Sequence, residues 1–165
     1  MRRVNLFQTE VEHSSEHEYE HPPGYRWHET WVGARLGGER IGASLYELPP
    51  GESTFPYHFH YGNEEWLLVV TGEPTLRTPD GEQRLRPGDV VCFPIGPAGA
   101  HQVRNETDET IRVLMISTLR APDITRYVDS DKIGPRPRVH EDSLNFFRGS
   151  AVDYWAGEPE IGEGE

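Results

Sequence analysis

Gly51-Glu-Ser-Thr-Phe-Pro-Tyr-His58-Phe-His60-Tyr-Gly-Asn-Glu64-Glu65 sets two histidines one residue apart, and a third, His101, follows about forty residues later. Side chains of a strand alternate faces, so His58 and His60 point one way while Tyr57 and Phe59 point the other. Glu65 can return on a neighbouring strand after a turn through Tyr61, Gly62 and Asn63. His101 can add a further imidazole from another strand. Three imidazole nitrogens and one carboxylate oxygen suit a divalent first-row metal and leave coordination positions open. The alternative is a barrel that keeps these groups as a hydrogen-bonded polar core without an ion. That is costly, because clustered buried imidazoles and a carboxylate need a partner.

Working outward, the flanking sequence reads as short strands. From Tyr25 to about Val128 they are broken by Gly, Pro and Asp, at 27–36, 41–48, 55–60, 65–70, 74–78, 82–86, 89–93, 101–105, 111–118 and 124–128. Turns are marked by Gly37-Gly38, Pro49-Pro50-Gly51, Pro79-Asp80-Gly81 and Arg86-Pro87-Gly88-Asp89. Evenly spaced strands of this kind predict an all-β sandwich or barrel. No stretch between the tails has helical periodicity. Trp66–Val70 and Val113–Ile116 are continuously apolar, which predicts strands covered on both faces, as between a barrel and a partner subunit. A homodimer is the simplest source of that cover.

The spacing resembles that of the cupin superfamily. Its first motif runs Gly, five residues, His-x-His, three or four residues, Glu, six residues, Gly. Gly51, His58, His60, Glu65 and Gly72 match it with one extra residue before His58. The second motif runs Gly, five residues, Pro, one residue, Gly, two residues, His, three residues, Asn. Gly88, Pro94, Gly96, His101 and Asn105 match it, except that four residues separate Gly96 from His101. The likeness is close over about residues 40–118, and later stretches look like those of small single-domain bacterial cupins of unassigned function.

The resemblance implies a double-stranded β-helix (jelly-roll) barrel over 25–140, with an extended N-terminal arm, 1–24, and a docked acidic C-terminal tail, 141–165. It implies one divalent ion (Fe, Mn, Ni or Zn) held by His58, His60, Glu65 and His101. Glu64 competes for the carboxylate position. Only Glu65 keeps the six-residue distance to Gly72, and strand parity admits one of the two. By the same parity His101, Val103 and Asn105 share a face, which predicts Asn105 near the site.

Composition narrows the function. The 165 residues carry a net charge of -12, of which residues 1–21 hold -3 and 141–165 hold -6. An acidic chain without a basic stripe is a poor match for nucleic acid or anionic membrane surfaces. No apolar run reaches the length of a membrane span and no signal-peptide core is evident, which predicts a cytoplasmic protein. The single cysteine, Cys92, lies in an apolar run and is expected to be a small buried hydrophobe. His13, His17 and His21 are four apart and would share a helix face, as a second metal site or simply as an exposed arm. Phe146, Phe147, Tyr154 and Trp155 predict that 144–156 docks on the barrel or on a neighbouring chain.

There is no nucleophile elbow, phosphate loop or dinucleotide fingerprint. The expected function is a small metalloenzyme (an oxygenase, isomerase, decarboxylase or hydrolase) acting on an oxygen-rich or aromatic small molecule. The alternative is a non-catalytic, metal-dependent binding or sensing module.

Overall fold

The computed structural model describes residues 1–14, 21–137 and 142–160. In chain order its strands are β1 (His13–Ser14), β2 (His28–Thr30), β3 (Ile41–Leu48), β4 (His58–His60), β5 (Glu65–Thr71), β6 (Thr75–Thr78) and β7 (Gly81–Arg84). They continue as β8 (Val90–Phe93), β9 (Gln102–Arg104), β10 (Ile111–Thr118), β11 (Asp123–Tyr127), β12 (Lys132–Arg136) and β13 (Phe146–Phe147). One sheet has the order β1-β2-β3-β10-β5-β8. Two smaller ones, β13-β12-β11-β4 and β7-β6-β9, are joined where His58 and His101 form an antiparallel bridge. The two layers close on a core that includes Tyr46, Leu48, Leu67, Val69 and Val113 from the first and Leu76 and Val103 from the second. The architecture is an all-β jelly-roll barrel.

The continuously apolar strands are covered on both sides. Leu67, Val69 and Val113 face the interior, while Leu45, Val70 and Leu114 form an outer cluster with Val32. Part of the outer cover comes from the chain's own N-terminal segment: Val4, Leu6 and Val11 pack there. Arg112 fastens the segment by donating to the carbonyls of Leu6 and Phe7 at 3.1 and 3.3 Å. At Val70 and Leu114 part of the cover that the sequence assigned to a partner subunit thus comes from the chain itself. Trp66 on the same outward face remains 43% exposed.

Three further expectations need correction. Residues 27–36 are not one strand: β2 is followed by a short helix, α1 (Val32–Leu36), packed on β3. It stops at Gly37, whose φ of 81° lets its N–H reach Ala34 O while Gly38 N–H reaches Gly33 O. Cys92 is exposed, because β8 is the edge strand and Cys92 shares the outward face with its cross-strand partner Trp66. Asn105 is buried, but its amide donates to Leu48 O and Glu109 O and so closes a turn. Four residues along an extended chain place it about 13 Å from His101.

The C-terminal segment docks through its backbone, with Ile133 opposite Phe146 and Lys132 opposite Phe147. Its side chains do not bury: Phe147, Tyr154 and Trp155 are 66, 84 and 71% exposed. Among the described residues no helix is long and apolar enough to cross a membrane.

Candidate metal centre

His58 and His101 sit directly opposite each other, His58 N–H donating to His101 O at 3.2 Å and His101 N–H to His58 O at 2.8 Å. This register places both imidazoles on one face, with ring centroids 4.7 Å apart. His60 follows on the same face of β4, and Glu65 starts β5 with the inward parity of Leu67 and Val69. The polar cluster thus occupies one end of the barrel and the apolar core fills the other.

The imidazoles are oriented from behind. His58 Nδ1 lies 2.8 Å from Pro56 O, His101 Nδ1 2.9 Å from Gly99 O, and His60 Nδ1 2.5 Å from Asp123 Oδ2. Each carbonyl or carboxylate accepts a proton from Nδ1, which leaves Nε2 as the atom turned toward the site. Phe93 stacks on the His101 ring at 3.8 Å and fixes its plane. The second motif's two extra residues are accommodated by a 3₁₀ turn, Pro97–Gly99, which ends at the carbonyl that orients His101.

Ligand atoms of His58, His60 and Glu65 all lie within 4.8 Å of one another. Glu65 Oε2 is 3.3 Å from His60 Nε2 and 3.4 Å from His101 Nε2, so His101 adjoins the group through the carboxylate. That oxygen is buried yet has no hydrogen-bond partner of acceptable geometry. Two ligand atoms each about 2.1 Å from one cation are about 3.0–3.4 Å apart at ordinary coordination angles. The orphaned oxygen and the facing nitrogens therefore fit a bound divalent ion. Glu64 points elsewhere, its carboxylate accepting from Trp66 Nε1 at 2.8 Å.

Electrostatics agree with that reading. Burial, with help from His101 and His60, pulls the His58 pKa down to about 3, and burial likewise lowers that of His101. Both present neutral rings at physiological pH. Burial also works against a charged His60, but Asp123 and Glu65 on either side outweigh it and push its pKa up to about 9. Burial would raise the Glu65 and Asp123 pKa values; facing His60 instead lowers the first and brings the second down to about 2. Without a cation, a charged His60 lies between the two carboxylates, hydrogen-bonded to Asp123 and 3.3 Å from Glu65 Oε2. A divalent ion must displace a proton from that ring, so metal affinity falls as pH drops below about 9.

Sequence reading missed Asp123, which lies on β11 more than sixty positions beyond His60 and is brought beside it only by the pairing of β11 with β4. Its other oxygen accepts Gly62 N–H at 2.8 Å. In Asp123→Asn the amide oxygen must stay with Gly62, so the amide nitrogen turns toward His60. His60 must then accept at Nδ1 and carry its proton on Nε2, the atom facing the site. The variant is expected to bind divalent metal about 10–100-fold more weakly, measured by competition with a chelator. Unchanged affinity would show that Asp123 does not orient His60.

A cavity of about 300 Å³ opens on the cluster, walled in part by Phe55, Met115, Tyr46, Tyr127 and Arg136. Tyr127 stacks on His58 at 6.1 Å. Its hydroxyl oxygen accepts from Arg136 Nη2 at 2.6 Å, which frees the hydroxyl hydrogen for another acceptor. Of the remaining histidines, His21 packs edge-on against Trp27. His17 and His140 lie outside the described residues, so a site at His13, His17 and His21 does too.

Comparison with known proteins follows the same lines. A family model described as the cupin domain matches residues 44–117. A crystal structure from Acidithiobacillus ferrooxidans, provisionally assigned as a sugar phosphate isomerase, is 27% identical, with a TM-score of 0.72 over 79% of this chain and 82% of that one. A cupin-superfamily sugar phosphate isomerase from Silicibacter pomeroyi is 24% identical, with a TM-score of 0.75 over 90% and 94% of the two chains. The polyketide cyclase RemF from Streptomyces resistomycificus is 23% identical, with a TM-score of 0.57 over 78% and 85%. No curated protein sequence matches the chain. The motif residues and the barrel agree with the matching family model, which identifies residues 44–117 as a cupin domain.

Proposed function

We propose that this cupin is a metal-dependent enzyme of small oxygen-rich metabolites, and that its reaction is isomerisation of a hydroxy-carbonyl compound. One observation carries the first part: a buried Glu65 oxygen without a hydrogen bond lies beside His60 Nε2 and His101 Nε2, with His58 in the same group, at the wall of an open cavity. Structural metal sites usually close their coordination with protein ligands, whereas catalytic ones keep positions free. The likeness to the provisionally assigned sugar phosphate isomerase favours isomerisation among the reactions such a site supports.

In this reading His58, His60, His101 and Glu65 hold the ion. When bound, it would polarise a carbonyl and an adjacent hydroxyl of the substrate. Asp123 keeps His60 in its ligating tautomer. Phe55 and Met115 present apolar surface that limits water on one side of the cavity. Tyr127, with its oxygen already accepting from Arg136, directs a hydroxyl hydrogen at a substrate oxygen.

The test is deuterium exchange. Aldoses, ketoses and their phosphates, incubated in deuterated water with metal-loaded protein, are expected to take up deuterium at the carbon beside the carbonyl. Uptake should cease in His58→Ala. A metal-loaded protein that binds these compounds without exchange would instead support the binding-module reading.

A further inference from the structure

Two cavities meet at the candidate centre. Besides the one described, a second of about 460 Å³ is walled by Asn63, Leu119, Arg120 and Asp123, among others. His60 and Arg136 belong to both. Arg136 therefore stands at the seam between the polar cluster and a space large enough for a further chemical group.

Arg26, Arg77, Arg104, Arg112 and Arg126 each pair with a carboxylate. Among the described residues neither Arg136 nor Arg120 does. Arg136 donates, among the described residues, only to neutral acceptors: Nη1 to Pro135 O at 3.1 Å and Leu144 O at 2.8 Å, Nη2 to Tyr127 Oη at 2.6 Å and Asn145 Oδ1 at 2.7 Å. These contacts hold the guanidinium in place without cancelling its charge, and they leave its Nε–H available. Arg120 is exposed, and among the described residues only its backbone is tied: its N–H donates to Asn63 Oδ1 and Thr118 O, and its carbonyl accepts from Asn63 Nδ2. Two carboxylates also border the second cavity. Asp123 is committed to His60 and Gly62, and Glu39 is exposed at the rim. In a protein of net charge -12, two guanidiniums without carboxylate partners beside one cavity form a local site for an anion.

We propose that Arg136, Arg120 and the hydroxyl of Tyr127 bind the anionic group of the substrate, a phosphate monoester in preference to a carboxylate. The inference rests on the reading of the polar cluster as the reacting centre and names the substrate class for it. A phosphate dianion matches two guanidiniums and offers acceptors for the Arg136 Nε–H and the Tyr127 O–H together, while a carboxylate carries half the charge. The oxygen-rich end of the same molecule then faces His58, His60 and His101 across Arg136. The carbonyl of Leu144 and side chain of Asn145 give the C-terminal segment a part in the site, since they set the guanidinium's orientation.

The test titrates inorganic phosphate into chelator-treated protein, so that an ion at the histidines cannot bind it, with acetate as the carboxylate probe. Phosphate is expected to bind saturably and more tightly than acetate. Arg136→Gln and Arg120→Gln should each weaken phosphate at least about tenfold, and the double variant should abolish binding. Metal content of the variants should equal that of the parent. Arg120→Gln removes no side-chain hydrogen bond seen in the structure, so it reads the anion site even if Arg136→Gln loosens the C-terminal segment; Arg136→Lys, which keeps the charge, should recover part of the affinity. No saturable phosphate binding, acetate binding as tight as phosphate, or equal phosphate affinity in the double variant would overturn the proposal. Failure of the metal reading would leave phosphate binding intact. Failure of the anion site would leave metal content and deuterium exchange of unphosphorylated sugars intact.

Discussion

His58→Ala, His60→Ala and His101→Ala are each expected to bind a divalent ion more than about a hundredfold more weakly than the parent, since losing a ligand costs more than losing the groups that orient one. Glu65→Gln should fall in the same class, because a neutral amide replaces the only anionic donor in the cluster. Glu64→Gln should bind as the parent does, its carboxylate being turned to Trp66. Loss of metal in the His58 and His101 variants should not reflect loss of fold: the bridge between the two positions is made by backbone groups that alanine retains. His60→Ala differs. It strands Glu65 and Asp123, two carboxylates 16 and 5% exposed, without the imidazole between them. An uncompensated buried charge of this kind costs about 3–5 kcal/mol, so the metal-free His60 variant should also melt well below the others. Chelator competition and thermal unfolding measured together separate the two effects. Parent-like metal affinity in His101→Ala would remove that residue from the set.

Gly99→Ala is expected to cost about 3 kcal/mol or more of stability and to impair metal binding as well. A Cβ at this position would lie 1.8 Å from Pro94 O and 2.9 Å from Pro94 C. Those are backbone atoms of a ring-constrained residue, so the clash cannot be relieved by a side-chain rotation, and overpacking costs of about 1–3 kcal/mol are the lower bound. The strain acts on the site directly, because Gly99 O is the acceptor that orients His101 Nδ1. Moving the 3₁₀ turn moves a ligand. Gly149→Ala supplies the control, as its added Cβ would meet nothing within 4 Å. Denaturant unfolding of the two variants checks the claim; a Gly99→Ala protein as stable as the parent would contradict the packing described here.

Much of the barrel was legible because period-two alternation and the tight spacing of His58 and His60 are local signals. Strands β3, β5 and β10 fall close to where turn chemistry bounds them; parity admitted only one of Glu64 and Glu65 to the interior, and the distance to Gly72 selected Glu65. Other features depend on contacts that no local pattern encodes. A five-residue helix at Val32–Leu36 is too short to show periodicity, and its stop at Gly37-Gly38 reads equally well as a hairpin turn. Asp123 and Arg136 reach the cavity only through the pairing of β4, β11 and β12. Part of the cover over Val70 and Leu114 comes from Val4, Leu6 and Val11, in a segment expected only as an extended arm. Cys92 was misplaced because an apolar run does not reveal that its strand is an edge.

One measurement bears most directly on the central claim. Chelator-treated protein, reloaded with a single divalent metal and dialysed, is assayed for metal per chain and for its ligand shell by X-ray absorption. Four side chains gripping one cation predict one ion per chain, with a first shell of nitrogen and oxygen at about 2.1 Å that includes imidazole scattering. A protein that stays metal-free with every divalent ion offered, or binds one with no imidazole in its shell, would contradict the account.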